Sequence, residues 1–295
     1  MNETHLDVSK TSAFLILLKG NRTGVWTTIG GGVLIFVIWQ VALVALTLGF
    51  PVVATLLIDG DILASAKDEA AGMALLLVGG FGPPFLVMMA WRKFMEHRRV
   101  GSLFTANAAF RWQLVLLSTV VVGGFGLAIT LPFDPESVAQ ITDRMARFSA
   151  QDWFMLIGVY GIGIFIQASF EEVYVRGWLL QHLSRFLPNA LVAILTTSVI
   201  FSALHIGHPG WATYVATFAM GLAFGYSAWR LNGLEAAMGA HIANNLVGAL
   251  LAGQMISGNA PTMDAGEFAL YALYILGFLL FVELWARFGE RPSRA

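Results

Sequence analysis

The stretch FEEVYVRGWL, Phe170 to Leu179, places two adjacent glutamates and an arginine inside a long apolar run. Around it, a chain of 295 residues is 57% hydrophobic and only 12% charged, with a mean hydropathy of +0.73. A soluble domain carries about 25% charged residues. A buried core does not account for that difference, so the composition calls for a polytopic membrane protein. The formal net charge of −1 gives no sign of nucleic-acid binding. The absence of cysteine excludes disulfides, thiolate metal sites and a cysteine nucleophile. The first apolar run starts late and is too long for the core of a signal peptide, so no cleavable leader is expected.

Working outward from Phe170–Leu179, about eight segments have the length to cross a core of ~30 Å at 1.5 Å per residue. They lie near 25–50, 70–91, 113–133, 153–175, 189–206, 211–229, 234–253 and 267–286. The expected fold is all-α, a polytopic transmembrane helix bundle of about eight spans. GLAFGYSAWRL and GALLAG carry small residues at helix-packing spacing, which suits a compact bundle. No repeat, low-complexity tract or long linker interrupts the chain. The division is therefore an N-terminal cytoplasmic or interfacial segment (1–24), one transmembrane domain (25–286) with its motif core at 153–250, and a cytoplasmic tail (287–295). SAFLILLK, within the first segment, reads as an interfacial helix or a frayed lead-in. His5, His97 and His182 fall in expected loops or ends.

Lys and Arg set the orientation. Arg92, Lys93, Arg98, Arg99 and Arg111 place the loop around 92–111 in the cytoplasm. The 51–69 loop, with Asp59, Asp61, Asp68 and Glu69 against one lysine, fits the outer side. Lys10, Lys19 and Arg22, and Arg287, Arg291 and Arg294, put both termini in the cytoplasm, which eight spans permit. Short loops and small size point to an integral protein of a bacterial inner membrane.

A charge in a span costs about 2.5–3.5 kcal/mol on insertion scales. On a continuous helix Glu172 and Arg176 are four apart with the glutamate first, the favoured order for an ion pair. Glu171 points about 100° away. Arg176 is thus expected to neutralise Glu172 and leave Glu171 without a local partner, able to act as a base. The alternative places all three at the cytoplasmic interface, solvated. VIFSALHIGHPGW sets Phe201 one turn before His205, and GAHIANNLVGALLAG sets His241 and Asn245 on one helix face with Asn244 near it. His208, beside Pro209 and Gly210, reads as an end-cap or interfacial residue. A lone histidine in a span is more often a packing or hydrogen-bonding residue. Three polar clusters on three spans satisfy one another by converging on one wet cavity. A carboxylate and histidines activate water, and histidine and asparagine N–H groups stabilise an oxyanion, which together suit amide hydrolysis. The same groups suit a proton relay in a transporter, or a zinc site of two histidines and a glutamate. H-E-x-x-H is absent, so a metal site would be assembled from separate helices.

The ordered trio E-E-x-x-x-R, F-x-x-x-H and H-x-x-x-N resembles the CPBP family of intramembrane proteases, which includes CAAX prenyl endopeptidases and proteins linked to bacteriocin immunity. The matching residues are Glu171, Glu172 and Arg176, then Phe201 and His205, then His241 and Asn245. The resemblance implies that Glu171 and His205 activate the water, that His241 and Asn245 form the oxyanion site, and that Glu172 and Arg176 support Glu171, with Phe201 beside them. A metal-free mechanism is expected, because Asn245 is a poor metal ligand and a good donor. The alternative is zinc on Glu171, His205 and His241. The expected activity is cleavage of a peptide or protein substrate, lipidated or not, near the cytoplasmic face and in contact with membrane lipid. Alternatives are a non-catalytic immunity or binding protein, or a proton-coupled transporter. No internal repeat supports transport. No feature fixes an oligomeric state.

One expectation conflicts with another. If the fifth span starts inside at 189, His205 lies ~24 Å along it and near the outer face. Glu171 and His241 fall in the inner half. The conflict resolves if the Glu171 helix is longer, for which 153–187 leaves room, or if 189–206 is tilted or re-entrant.

Overall fold

A computed structural model describes residues 12–18, 24–55, 65–206, 210–252 and 264–289. The described chain is helical, with no β-strand; Thr105 and Gly233 form one isolated bridge. The longer helices are α1 (Val25–Gly49), α2 (Ala66–Met95), α3 (Trp112–Thr130), α4 (Pro135–Arg147), α5 (Ala150–Leu183), α6 (Ala190–Ala203), α7 (Trp211–Leu231), α8 (Glu235–Leu246, prolonged by a π turn Val247–Ala252) and α9 (Ala265–Gly289). All but α4 coincide with an expected apolar segment. Five of them, α1, α2, α3, α5 and α9, are long and apolar enough to cross a membrane. The fold is a polytopic all-α bundle.

Local chemistry sets the helix bounds. Ser65 caps α2 by accepting from the Lys67 N–H at 3.2 Å. Pro83 and Pro84 lie inside α2 and lack N–H donors, and the wide turn Leu75–Gly79 directly precedes them. Ser149 and Asp152 form a capping box at the start of α5. α4, which the sequence reading passed over, is amphipathic: Arg144 reaches the buried Glu69 carboxylate of α2, and Tyr160 of α5 donates to the same carboxylate at 2.7 Å.

Two expected spans change length. α5 runs 34 residues, about 51 Å, well beyond a ~30 Å core. α6 has only 14 residues, about 21 Å. The longer-helix resolution of the depth conflict therefore holds. From Gln167 to Trp178 every residue of α5 is buried, so this part of the helix runs through the middle of the bundle. α6 and α7 pack closely because a Cβ on Gly221 would lie 2.8 Å from Ser198 Cβ, and one on Gly225 2.8 Å from Ile194 Cγ2.

The helices alternate between two ends. At one, the chain from 96 to 111 meets 231–235: Leu234 N donates to the Phe104 carbonyl at 2.8 Å, and Arg111 pairs with buried Glu235 at 2.9 Å. Ser12–Leu18 also packs here, as turns rather than a helix, with Phe14 and Leu18 buried and Phe14 N donating to Asn232 Oδ1 at 3.3 Å. The other end carries the start of α5 and the α6–α7 turn. His208, His5, Lys10, Lys19 and Arg22 lie outside the described residues.

Candidate active site

α5 brings Gln167, Glu171, Glu172 and Arg176 into the bundle, α6 brings Phe201 and, just past its end, His205, and α8 brings His241 and Asn245. Glu172 and Arg176 are fully buried, and Arg176 Nη1 donates to Glu172 Oε1 at 2.7 Å. The ion pair expected from spacing is present and is not at a solvated interface. The guanidinium also faces the Phe201 ring at 4.3 Å and the Phe224 ring at 5.4 Å. Nε and Nη2 make no hydrogen bond, and these aromatic faces take the place of acceptors.

Glu172 Oε1 has a second neighbour: His241 Nδ1 at 2.9 Å. An oxygen that already accepts from arginine is an acceptor here, so Nδ1 carries a proton. The pair of Glu172 and Arg176 was expected to support Glu171. Instead the direct contact is with His241, whose ring it orients. His241 Nε2 then faces Glu171 Oε2 at 3.6 Å.

Nor does Glu171 stand alone, as spacing had suggested. Gln167, one turn earlier, donates from Nε2 to Glu171 Oε1 at 2.6 Å and accepts on Oε1 from Asn245 Nδ2 at 2.8 Å. One buried amide thus joins the carboxylate to the asparagine across two helices. Gln167 was missed in the sequence, although an uncharged polar residue in an apolar span four before Glu171 was signal enough. Asn244 completes the line by donating to Asn245 Oδ1 at 3.0 Å. His205 Nδ1 lies 2.9 Å from the Phe201 carbonyl, which can only accept, so Nδ1 carries a proton.

Glu171, His205, His241 and Asn245 line one cavity of about 550 Å³. The charges nearest it are two carboxylates and one guanidinium. Among the described residues no three His, Cys, Asp or Glu side chains are placed to hold a metal ion.

A second buried network missed in the sequence lies further along α5. Arg92 and His182, read as loop or end residues, are buried. Arg92 pairs with Glu96 at 3.1 Å, Trp178 Nε1 donates to Glu96 Oε1 at 2.7 Å, and His182 Nε2 stands 3.3 Å from that oxygen. Burial pushes the Glu96 carboxyl up, but His182, Arg92 and Trp178 outweigh it and hold it below its ordinary 4.5.

Comparison with known proteins agrees with the motif resemblance. Residues 151–247 match the family model described as Type II CAAX prenyl endopeptidase Rce1-like. That segment holds every motif residue named above. The chain is 26% identical over 163 residues to the Uncharacterized protein YyaK of Bacillus subtilis (strain 168), and the match covers 52% of each. The chain thus spans about half the length of that relative. No solved structure matches it.

Proposed function

We propose that the protein is an intramembrane endopeptidase that hydrolyses a peptide bond without a metal ion. The observation that carries this reading is the convergence of Glu171, His205, His241 and Asn245 on one cavity. A water between Glu171 and His205 gives a proton to the Glu171 carboxylate while its oxygen attacks the substrate carbonyl carbon. The resulting oxyanion accepts hydrogen bonds from His241 Nε2–H and from the Asn245 Nδ2 hydrogen not given to Gln167. Collapse breaks the C–N bond, and the proton on Glu171 passes to the leaving amine. Glu172 and Arg176 keep His241 in the donor form this needs, and Gln167 aims both base and donor. The match to a peptidase family supports the reaction class.

The test is Glu171→Gln in the purified protein, with candidate peptides followed by mass spectrometry. Cleavage is expected to fall about 10²–10⁴-fold, the usual contribution of a general base, with unchanged melting. Retention of the cell's phenotype by this variant would instead favour a non-catalytic binding role.

A further inference from the structure

α1 lies outside the segment that carries the motifs, yet it forms one wall of the cavity that holds Glu171, through Trp39, Gln40 and Leu43. Packing fixes this face. Before Trp39 the helix is pressed against its neighbours: a Cβ on Gly31 would lie 2.6 Å from the Trp91 ring, and one on Gly32 2.9 Å from the Trp178 ring. Tyr174 of α5 donates to the Gly32 carbonyl at 3.2 Å. After Gln40, Leu43 and Leu46 lie against Gly80 and Gly79 of α2. Between these two contacts the Trp39 ring meets Phe81 and Phe170, with centroids 5.5 and 5.3 Å away. Phe170 directly precedes Glu171, so this point of α1 stands level with the base.

Gln40 is the one amide or charged side chain of α1. It is exposed, and about 14 Å of helix separates it from the nearer end of α1. Thr28 and Thr47 of the same helix return their hydroxyls to the carbonyls four residues back. Gln40 has no such bond, and among the described residues no group pairs with its amide. Unpaired polar groups at membrane depth are costly and mark the path of something polar.

The groups already assigned to the reaction leave a need. Glu171, His205, His241 and Asn245 act on the scissile bond, and none of them holds the chain beside it. An extended peptide presents carbonyls and N–H groups that require partners once water is excluded. A primary amide supplies a donor and an acceptor side by side, so it pairs with a carbonyl and an N–H of such a chain at once.

We infer that Gln40 is a substrate-binding residue, whose amide holds the main chain of an extended peptide next to the bond that is cut. Trp39, packed on Phe170, fixes its distance from Glu171. The substrate class that follows is a segment unwound at this point and recognised there by its backbone rather than by its side chains. The word substrate rests on the proteolytic reading; the unpaired amide in the cavity wall does not.

The test compares Gln40→Leu, which keeps the size and removes both hydrogen-bonding groups, with Gln40→Asn, which keeps the groups on a shorter stem. Gln40→Leu should melt no lower than the parent, because it breaks no bond within the protein. A melting temperature several degrees lower would mean that the amide holds the fold, and would overturn the inference. Binding is read in the Glu171→Gln background in nanodiscs, with a pool of unstructured synthetic peptides that are held and not cut. Gln40→Leu should weaken it about 10-fold, and Gln40→Asn should recover part of the loss. In the cleaving protein the same loss should fall on KM, with kcat nearly unchanged. Single N-methylations along a bound peptide should then find one bond that matters to the parent amide and not to Gln40→Leu. Equal binding with and without the amide, or no N-methylation that distinguishes the two, refutes the backbone contact. Binding that depends on Gln40, without cleavage of any peptide by the parent, leaves the contact standing and counts against proteolysis. Binding by no form of the protein sinks both.

Discussion

Arg176 is the side chain whose loss the structure makes most costly. Arg176→Met keeps the volume but removes the donor to Glu172 Oε1 and the cation between Phe201 and Phe224. Glu172 is then fully buried with only His241 as a donor, and its Oε2 has no protein partner in the first place. Breaking a buried pair on one side costs about 3–5 kcal/mol. At roughly 2–3 °C per kcal/mol for a chain of this size, melting should fall by about 6–15 °C. The assay is thermal unfolding of the purified protein in one detergent, at one pH and with the same lipid. Most of that cost is a carboxylate without its counter-charge rather than a lost contact. Adding Glu172→Gln should therefore recover most of the fall, since an amide oxygen still accepts from His241. If Arg176→Met melts within a degree or so of the parent, the pair is hydrated. If the double variant is no better than the single, the charge argument is wrong and packing carries the effect.

Gln167→Leu should lower kcat about 10- to 100-fold with little change in KM, because it releases the aim of Glu171 and Asn245 without touching the substrate; an unchanged kcat in steady-state peptide cleavage would remove its positioning role. Exhaustive chelation should leave cleavage intact, and elemental analysis finding about one zinc per chain with chelator-sensitive activity would reverse the metal-free mechanism. The Glu96 carboxyl is held below 4.5, so it adds stability above that value, and the gain is lost as pH falls through its lower folded value. Glu96→Gln should accordingly flatten the melting temperature between about pH 5 and 3, which a pH series of melts checks against the parent.

Hydropathy made the helices readable, because membrane solvent leaves the backbone few choices. Spacing alone gave the Glu172–Arg176 pair, since both residues belong to one helix. What crosses between helices was less visible. His241 on Glu172, and Asn245 on Gln167, depend on how α8 rotates against α5, and no local pattern encodes that rotation. Arg92 and His182 were placed in loops because charge near a span end usually means water. Here α5 continues past the membrane thickness, and its extension buries both against Glu96. α4 escaped notice because its single apolar face does not register in a search for spanning runs.

Glu172 Oε1 receives Arg176 from its own helix and His241 from one synthesised some seventy residues later. Until α8 arrives, the ribosome-bound chain has neither the imidazole nor the asparagine. On the proteolytic reading, the site is therefore assembled only when α8 joins α5, and a stalled or truncated product ending before residue 235 would lack two of its four groups.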